Sequence, residues 1–149
     1  MGLAKLNELY KAVILDNANY PQNKREIENV PKFHMDNPTC GDSIDVFSKV
    51  SDGVIDDIAF TGSGCTISQA SASIMTTVIK GKKIKKARQL ISDFSQLIQG
   101  KKISDKAMDE LGDAAVIGVV AEFPARIKCA ALAWHAADEL LNKEGGKDD

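Results

Sequence analysis

Long apolar runs are missing from this chain of 149 residues. The longest are short and alanine-rich, far below the roughly 20 residues needed to cross a bilayer, so no membrane span is expected. A strong charge of either sign is missing as well. The formal net charge is −2 and the pI is about 5.7, which excludes a general attraction to nucleic acid or anionic lipid. Cysteine is scarce: three residues, an odd number that cannot all pair within one chain. No C-x-x-C pair is present, so the strongest sequence signal for zinc is absent. Gly62-Ser63-Gly64 is not followed by Lys-Ser or Lys-Thr, which argues against a phosphate-binding loop. Internal repeats are also lacking. Residues 1–16 carry charges within an amphipathic helical pattern, unlike a secretory signal. A reducing cytoplasm, with thiols kept for metal or catalysis, is the expected setting.

What is present reads as an ordinary globular composition, 44% hydrophobic and 27% charged. The length is expected to make one domain over 1–149, ending in a flexible charged tail at 144–149. Leu3, Leu6, Tyr10, Val13 and Ile14 recur at helical spacing, and a loop is expected from Asp16 to Lys24. Residues 43–50 and 54–60 are rich in Ile, Val and Phe, and Asp52-Gly53 between them signals a hairpin. Thr66-Ile67-Ser68-Gln69 matches a capping box with Thr66 as the cap, opening a helix that Gly81 stops. Ile84, Ala87, Ile91, Phe94 and Ile98 form a further stripe ended by Gly100. A short helix is expected over Ser104–Leu111, while Val116–Val120 reads equally as helix or strand. Pro124 suits the first turn of a closing helix that runs to about Leu141 and is well buried. Helix, antiparallel strands, then several helices is an α+β order.

The cysteines carry the chemistry. Cys40-Gly41-Asp42 sets a thiol and a carboxylate two residues apart at a strand edge, where both point the same way if the chain is extended. Gly41 allows the backbone to curl toward an ion. Cys65 precedes a helix, whose positive dipole end favours thiolate over thiol. Cys129 shares a stripe with Ala133 and Ala136, small neighbours that leave room beside its sulfur. With Asp42 the three cysteines make four ligands, the number that closes a tetrahedral zinc site. The count also suits an assembling iron–sulfur cluster. The competing reading makes Cys65 and Cys129 core fillers and Cys40 a loop residue. His34 is expected as a solvated loop residue, and His135, six positions after Cys129, falls on another helical face. Neither is assigned as a ligand. The basic run Lys82–Lys86 is read as a solvated helix face.

Taken together, these motifs resemble the IscU-like family of iron–sulfur cluster assembly proteins, and within it the SufU branch. The resemblance runs from Leu9–Asp16 with Tyr20-Pro21 and Asn23 through Asn37-Pro38-Thr39-Cys40-Gly41-Asp42 and Gly62–Ser68 to Phe123–Ala130. It implies a small antiparallel sheet of about three strands covered by helices, with the cysteines converging at one end. It also implies that Cys40, Asp42, Cys65 and Cys129 bind zinc, with Cys40 the sulfur acceptor. The implied activity is that of a zinc-dependent sulfurtransferase, served by a pyridoxal-phosphate cysteine desulfurase of the SufS type, with other Suf assembly proteins as further partners. A scaffold building a [2Fe–2S] cluster on the same cysteines is the alternative, and a structural zinc-binding interaction domain is a third. Lys128 stands where scaffolds carry histidine, and the stretch Phe94–Asp113 looks extended. The segment Phe123–Lys128 departs from the one scaffolds offer to a chaperone. Arg126 is read either as positioning the site or partner or as an exposed ion pair, and Asn17 replaces a histidine of many relatives without an assigned consequence.

Overall fold

The structure, a computed structural model, describes residues 3–39 and 41–145; for 3–7, 144 and 145 it describes the backbone alone. Three antiparallel strands, β1 (Lys32–Asn37), β2 (Asp42–Ser51) and β3 (Val54–Ser63), lie side by side in chain order. Helix α1 (Leu3–Asn19) precedes them, and α2 (Thr66–Ile79), α3 (Ile84–Ile98), α4 (Asp105–Leu111), α5 (Asp113–Ile117) and α6 (Pro124–Gly145) follow. A 3-10 turn over Gly118–Glu122 joins the last two, so Val116–Val120 is helical rather than strand. This is the expected α+β architecture.

The hairpin forms where Asp52 and Gly53 both take positive φ, 53° and 76°. Two such residues make the turn whose twist matches paired strands. Along β2, Ile44 and Val46 face the core, and along β3, Ile55, Ile58 and Phe60 do so. β1, not among the strands assigned from the sequence pattern, is an edge strand in which exposed Lys32, His34 and Asp36 alternate with half-buried Phe33 and Met35. The loop after α1 lies along β3: Arg25 N–H donates to the Phe60 carbonyl and Phe60 N–H to that of Asn23. That pairing covers an edge otherwise open to aggregation.

Helix α6 packs on β1, β2, α2 and α3. Its Trp134 is buried, stacks on Phe94 with ring centroids 4.0 Å apart, and donates to Ser71 Oγ at 3.0 Å. Ser71 in turn donates to the Ala130 carbonyl, so α2, α3 and α6 are locked together around one aromatic pair. Burying an indole with its N–H satisfied avoids the cost of an orphaned donor. Helix α1 is tied to α2 through buried Asn17, which donates to the Val13 carbonyl and accepts from Ser73 Oγ at 2.8 Å. The helix therefore extends to Asn19, past the boundary expected at Asp16. At the far end α6 continues to Gly145; residues 146–149 of the expected tail, and the side chains of Leu3 and Leu6, lie outside the described residues.

Candidate metal centre

Three separate elements deliver the site. Asp42 opens β2, Cys65 stands at the N-terminus of α2, and Cys129 lies in the second turn of α6. One ligand atom from each falls within 4.8 Å of the others. Asp42 and Cys129 are buried, with exposures of 1% and 0%, and Cys65 is partly exposed. Cys40, the fourth expected ligand, lies outside the described residues.

The sheet register explains the convergence. Asn37 pairs with Asp42, and Ser43 pairs with Ser63, so the ends of all three strands meet beside the start of α2. Two glycines let the chain pass there. Gly62 has φ +133°, and a Cβ on it would lie 2.0 Å from the Ser43 carbonyl oxygen. On Gly64 a Cβ would lie 2.5 Å from Asp42 Oδ1 and 2.4 Å from Ser68 Oγ. Gly41 has φ +74° and donates its N–H to the Asn37 carbonyl at 2.8 Å. The backbone therefore turns at Gly41 as the glycine reading expects. β2 begins at Asp42, so the expected alternation of Cys40 with Asp42 falls outside the described residues.

The helix cap differs from expectation by one residue. Cys65, not Thr66, is the N-cap: its Sγ accepts from Ser68 N–H at 3.4 Å. Thr66 is already the first helical residue. Ser68 completes the cap by donating its hydroxyl to the Cys65 carbonyl, and Gln69 instead accepts from Lys24 Nζ at 2.8 Å. A thiol can replace the usual hydroxyl because sulfur is an acceptor, though a weak one. The cap and the candidate ligand are thus the same atom.

Asp42 is held from both sides. Its Oδ1 accepts from the Cys65 main-chain N–H at 2.8 Å, and its Oδ2 lies 3.4 Å from Asn37 Nδ2. Tyr10, on α1, borders the same end. Burial pushes its hydroxyl above the ordinary value of 10.0; nearby Arg126 opposes this and Cys65 adds to it. Arg126 is exposed, and among the described residues no ion pair engages it. Lys128 is also exposed and, with Asn37 and His135, lines a cleft of about 400 Å³ beside the site. His34 is exposed as expected but sits on β1 rather than a loop, its ring nitrogens 2.6 Å from Asp45 and 2.9 Å from Asp36. Of the basic run, Lys82, Lys83 and Lys85 are exposed, and Lys86 pairs with Glu110 of α4.

The donor set suits zinc, which accepts sulfur and carboxylate oxygen together. Donors around a tetrahedral zinc lie roughly 3.8 Å apart, a spacing compatible with three ligand atoms that all fall within 4.8 Å of one another. The sequence pattern identifies Asp42, Cys65 and Cys129 but not the roles of Asn37 and Tyr10, whose contacts arise only across elements.

Residues 9–138 match the family described as NifU-like N terminal domain. The chain is 43% identical over 143 residues to the zinc-dependent sulfurtransferase SufU of Bacillus subtilis, covering 96% of each. It is equally 43% identical to the iron–sulfur cluster assembly scaffold protein IscU of Streptococcus pyogenes, covering 96% of this chain and 89% of that one. A crystal structure from Fervidobacterium islandicum, described as a putative iron–sulfur cluster assembly scaffold protein for the SUF system, superposes with TM-score 0.79 at 26% identity. It covers 91% of this chain and 98% of that one. No described helix is long and apolar enough to cross a membrane. With the family match over residues 9–138 and 43% identity to relatives across almost the whole chain, the chain belongs to the NifU-like N-terminal domain family.

Proposed function

We propose that this protein is a zinc-dependent sulfur acceptor in iron–sulfur cluster assembly, taking sulfur from the persulfide of a cysteine desulfurase. The observation that carries the reading is the meeting of Asp42, Cys65 and Cys129 from three elements within 4.8 Å. A carboxylate and two sulfurs are donors that zinc accepts together. In this reading Asp42, Cys65 and Cys129 hold zinc together with Cys40, and Cys40 is the acceptor. Bound zinc would keep the sulfurs as thiolates and shield them from stray oxidation.

The chain's own groups do the rest. The Cys40 thiolate attacks the outer sulfur of the desulfurase persulfide. A new S–S bond forms on Cys40, the enzyme's S–S bond breaks, and its cysteine leaves as thiolate. Nothing is oxidised or reduced overall, since the sulfane sulfur passes unchanged between two cysteines. Meanwhile the Cys65 amide and Asn37 hold the Asp42 carboxylate, so the residues left at the centre keep their arrangement.

A scaffold for a [2Fe–2S] cluster is the second reading, favoured by the equal identity to the Streptococcus pyogenes protein. Lys128 weighs against it, because an exposed ammonium offers no imidazole-like lone pair beside Cys129. The test incubates purified protein with a pyridoxal-phosphate cysteine desulfurase and L-cysteine, then reads intact mass and metal content. About one zinc per chain and the added mass of one sulfur, lost in Cys40→Ala, is the expected result. Iron with matching sulfide, or persulfide forming normally on Cys40→Ala, overturns it.

A further inference from the structure

Asn37 ends β1 as a buried polar residue, 5% exposed, with no charge of its own to bring to the site. Its side-chain nitrogen lies 3.4 Å from Asp42 Oδ2 and 3.9 Å from Cys129 Sγ. An amide nitrogen carries two N–H groups, enough for one toward each acceptor. The amide faces this way because turning its oxygen toward the Asp42 carboxylate would set acceptor against acceptor.

We propose that Asn37 is a positioning residue of this centre, a buried amide clamp that fixes Asp42 and Cys129 relative to each other and orients both toward the metal. The inference rests on the metal-centre reading above and deepens it. Asp42 and Cys129 come from distant parts of the chain, and the Asn37 side chain reaches both. With the Cys65 amide on Oδ1, Asn37 on Oδ2 supports the carboxylate from its second oxygen, and each oxygen keeps a lone pair free for an ion. It also sets N–H dipoles between two groups whose negative charges would otherwise repel when buried close together. Groups that orient metal ligands in this manner change metal affinity by about 10–100-fold when removed.

The strand places Asn37 there. It pairs with Asp42 across the β1–β2 ladder, and its carbonyl accepts from Gly41 N–H, so its backbone is pinned before the side chain reaches inward. The clamp therefore needs no induced movement to form.

Two variants separate the donor from its volume. Asn37→Ala removes both amide and bulk; Asn37→Leu removes the amide and keeps a similar size and shape. Zinc affinity is measured by chelator competition, cobalt is added as a spectroscopic probe, and the metal-free melting temperature is recorded for each. The expected result is a loss of zinc affinity of about 10–100-fold in both variants, with altered cobalt d–d bands and Asn37→Leu melting like the unmutated chain. Asn37→Leu binding zinc within about twofold of the unmutated chain, with an unchanged cobalt spectrum, overturns the proposal and reduces Asn37 to packing. If the unmutated chain shows no sulfur-to-cobalt charge-transfer band, the metal-centre reading itself fails, and the clamp with it.

Discussion

The main-chain amide of Cys65 donates a 2.8 Å hydrogen bond to Oδ1 of Asp42, 23 positions earlier in the chain. That single contact joins the start of β2 to the start of α2. It also makes the geometry of one candidate ligand depend on the backbone of another. The carboxylate is oriented before any ion arrives, which lowers the ordering cost of binding.

Because Cys65 Sγ is also the cap of α2, substitutions there should split stability from metal binding. Serine supplies a better cap acceptor than sulfur, whereas alanine supplies none and costs about 1 kcal/mol. Metal-free Cys65→Ser should melt at or above the unmutated protein and Cys65→Ala below it, while both bind zinc more weakly. Calorimetry of the three metal-free proteins checks this; equal melting of the two variants would remove the capping role.

The two glycines of the turn should respond differently to alanine. A Cβ on Gly62 strikes the backbone oxygen of Ser43 and sits at φ +133°, so Gly62→Ala should cost about 3 kcal/mol or more. On Gly64 the obstacles are the side chains of Asp42 and Ser68, which can rotate away. Gly64→Ala should therefore fold but bind zinc at least about tenfold more weakly, through its displaced carboxylate. Denaturant melts with zinc titrations distinguish the two; Gly64→Ala binding zinc normally would sink the steric argument.

His34 provides a pH test remote from the metal. Its hydrogen bond with Asp45 raises its pKa above the ordinary 6.5; desolvation works against this and Asp36 adds to it. The folded value exceeds the unfolded one, so the pairing stabilises the fold fully below about pH 6.5 and is lost as pH rises through the higher folded value. The side chain is 53% exposed, so the effect should be small and shrink with salt. In an NMR titration Asp45→Asn should lower the His34 midpoint. The same midpoint in both proteins would show that the contact has no electrostatic consequence.

Much of this was written into the chain as pattern. The stripe from Ile84 to Ile98 forms α3 with the boundaries its spacing implies. Asp52-Gly53 makes its hairpin, and Pro124 begins α6. Each of these depends on neighbours within a few residues. The edge strand β1 does alternate, with Lys32, His34 and Asp36 outward and Phe33 and Met35 inward, but two apolar residues make a short signal beside the Ile-, Val- and Phe-rich β2 and β3. The capping register differs by one residue because Cys65 takes the extended N-cap conformation and its sulfur, not the Thr66 hydroxyl, accepts from the Ser68 amide.

By itself the sequence determined the α+β class, most helix boundaries and the residue types available for metal chemistry. Periodicity records which faces are buried and glycine records where the backbone must turn. The tertiary structure alone decided which polar atoms meet: Asn37 with Cys129, 92 positions apart, Asn17 with Ser73, and Trp134 with Ser71. A burial pattern specifies that a side chain is inside but not which partner satisfies it. Those partners are fixed only when strands and helices from distant parts of the chain pack together.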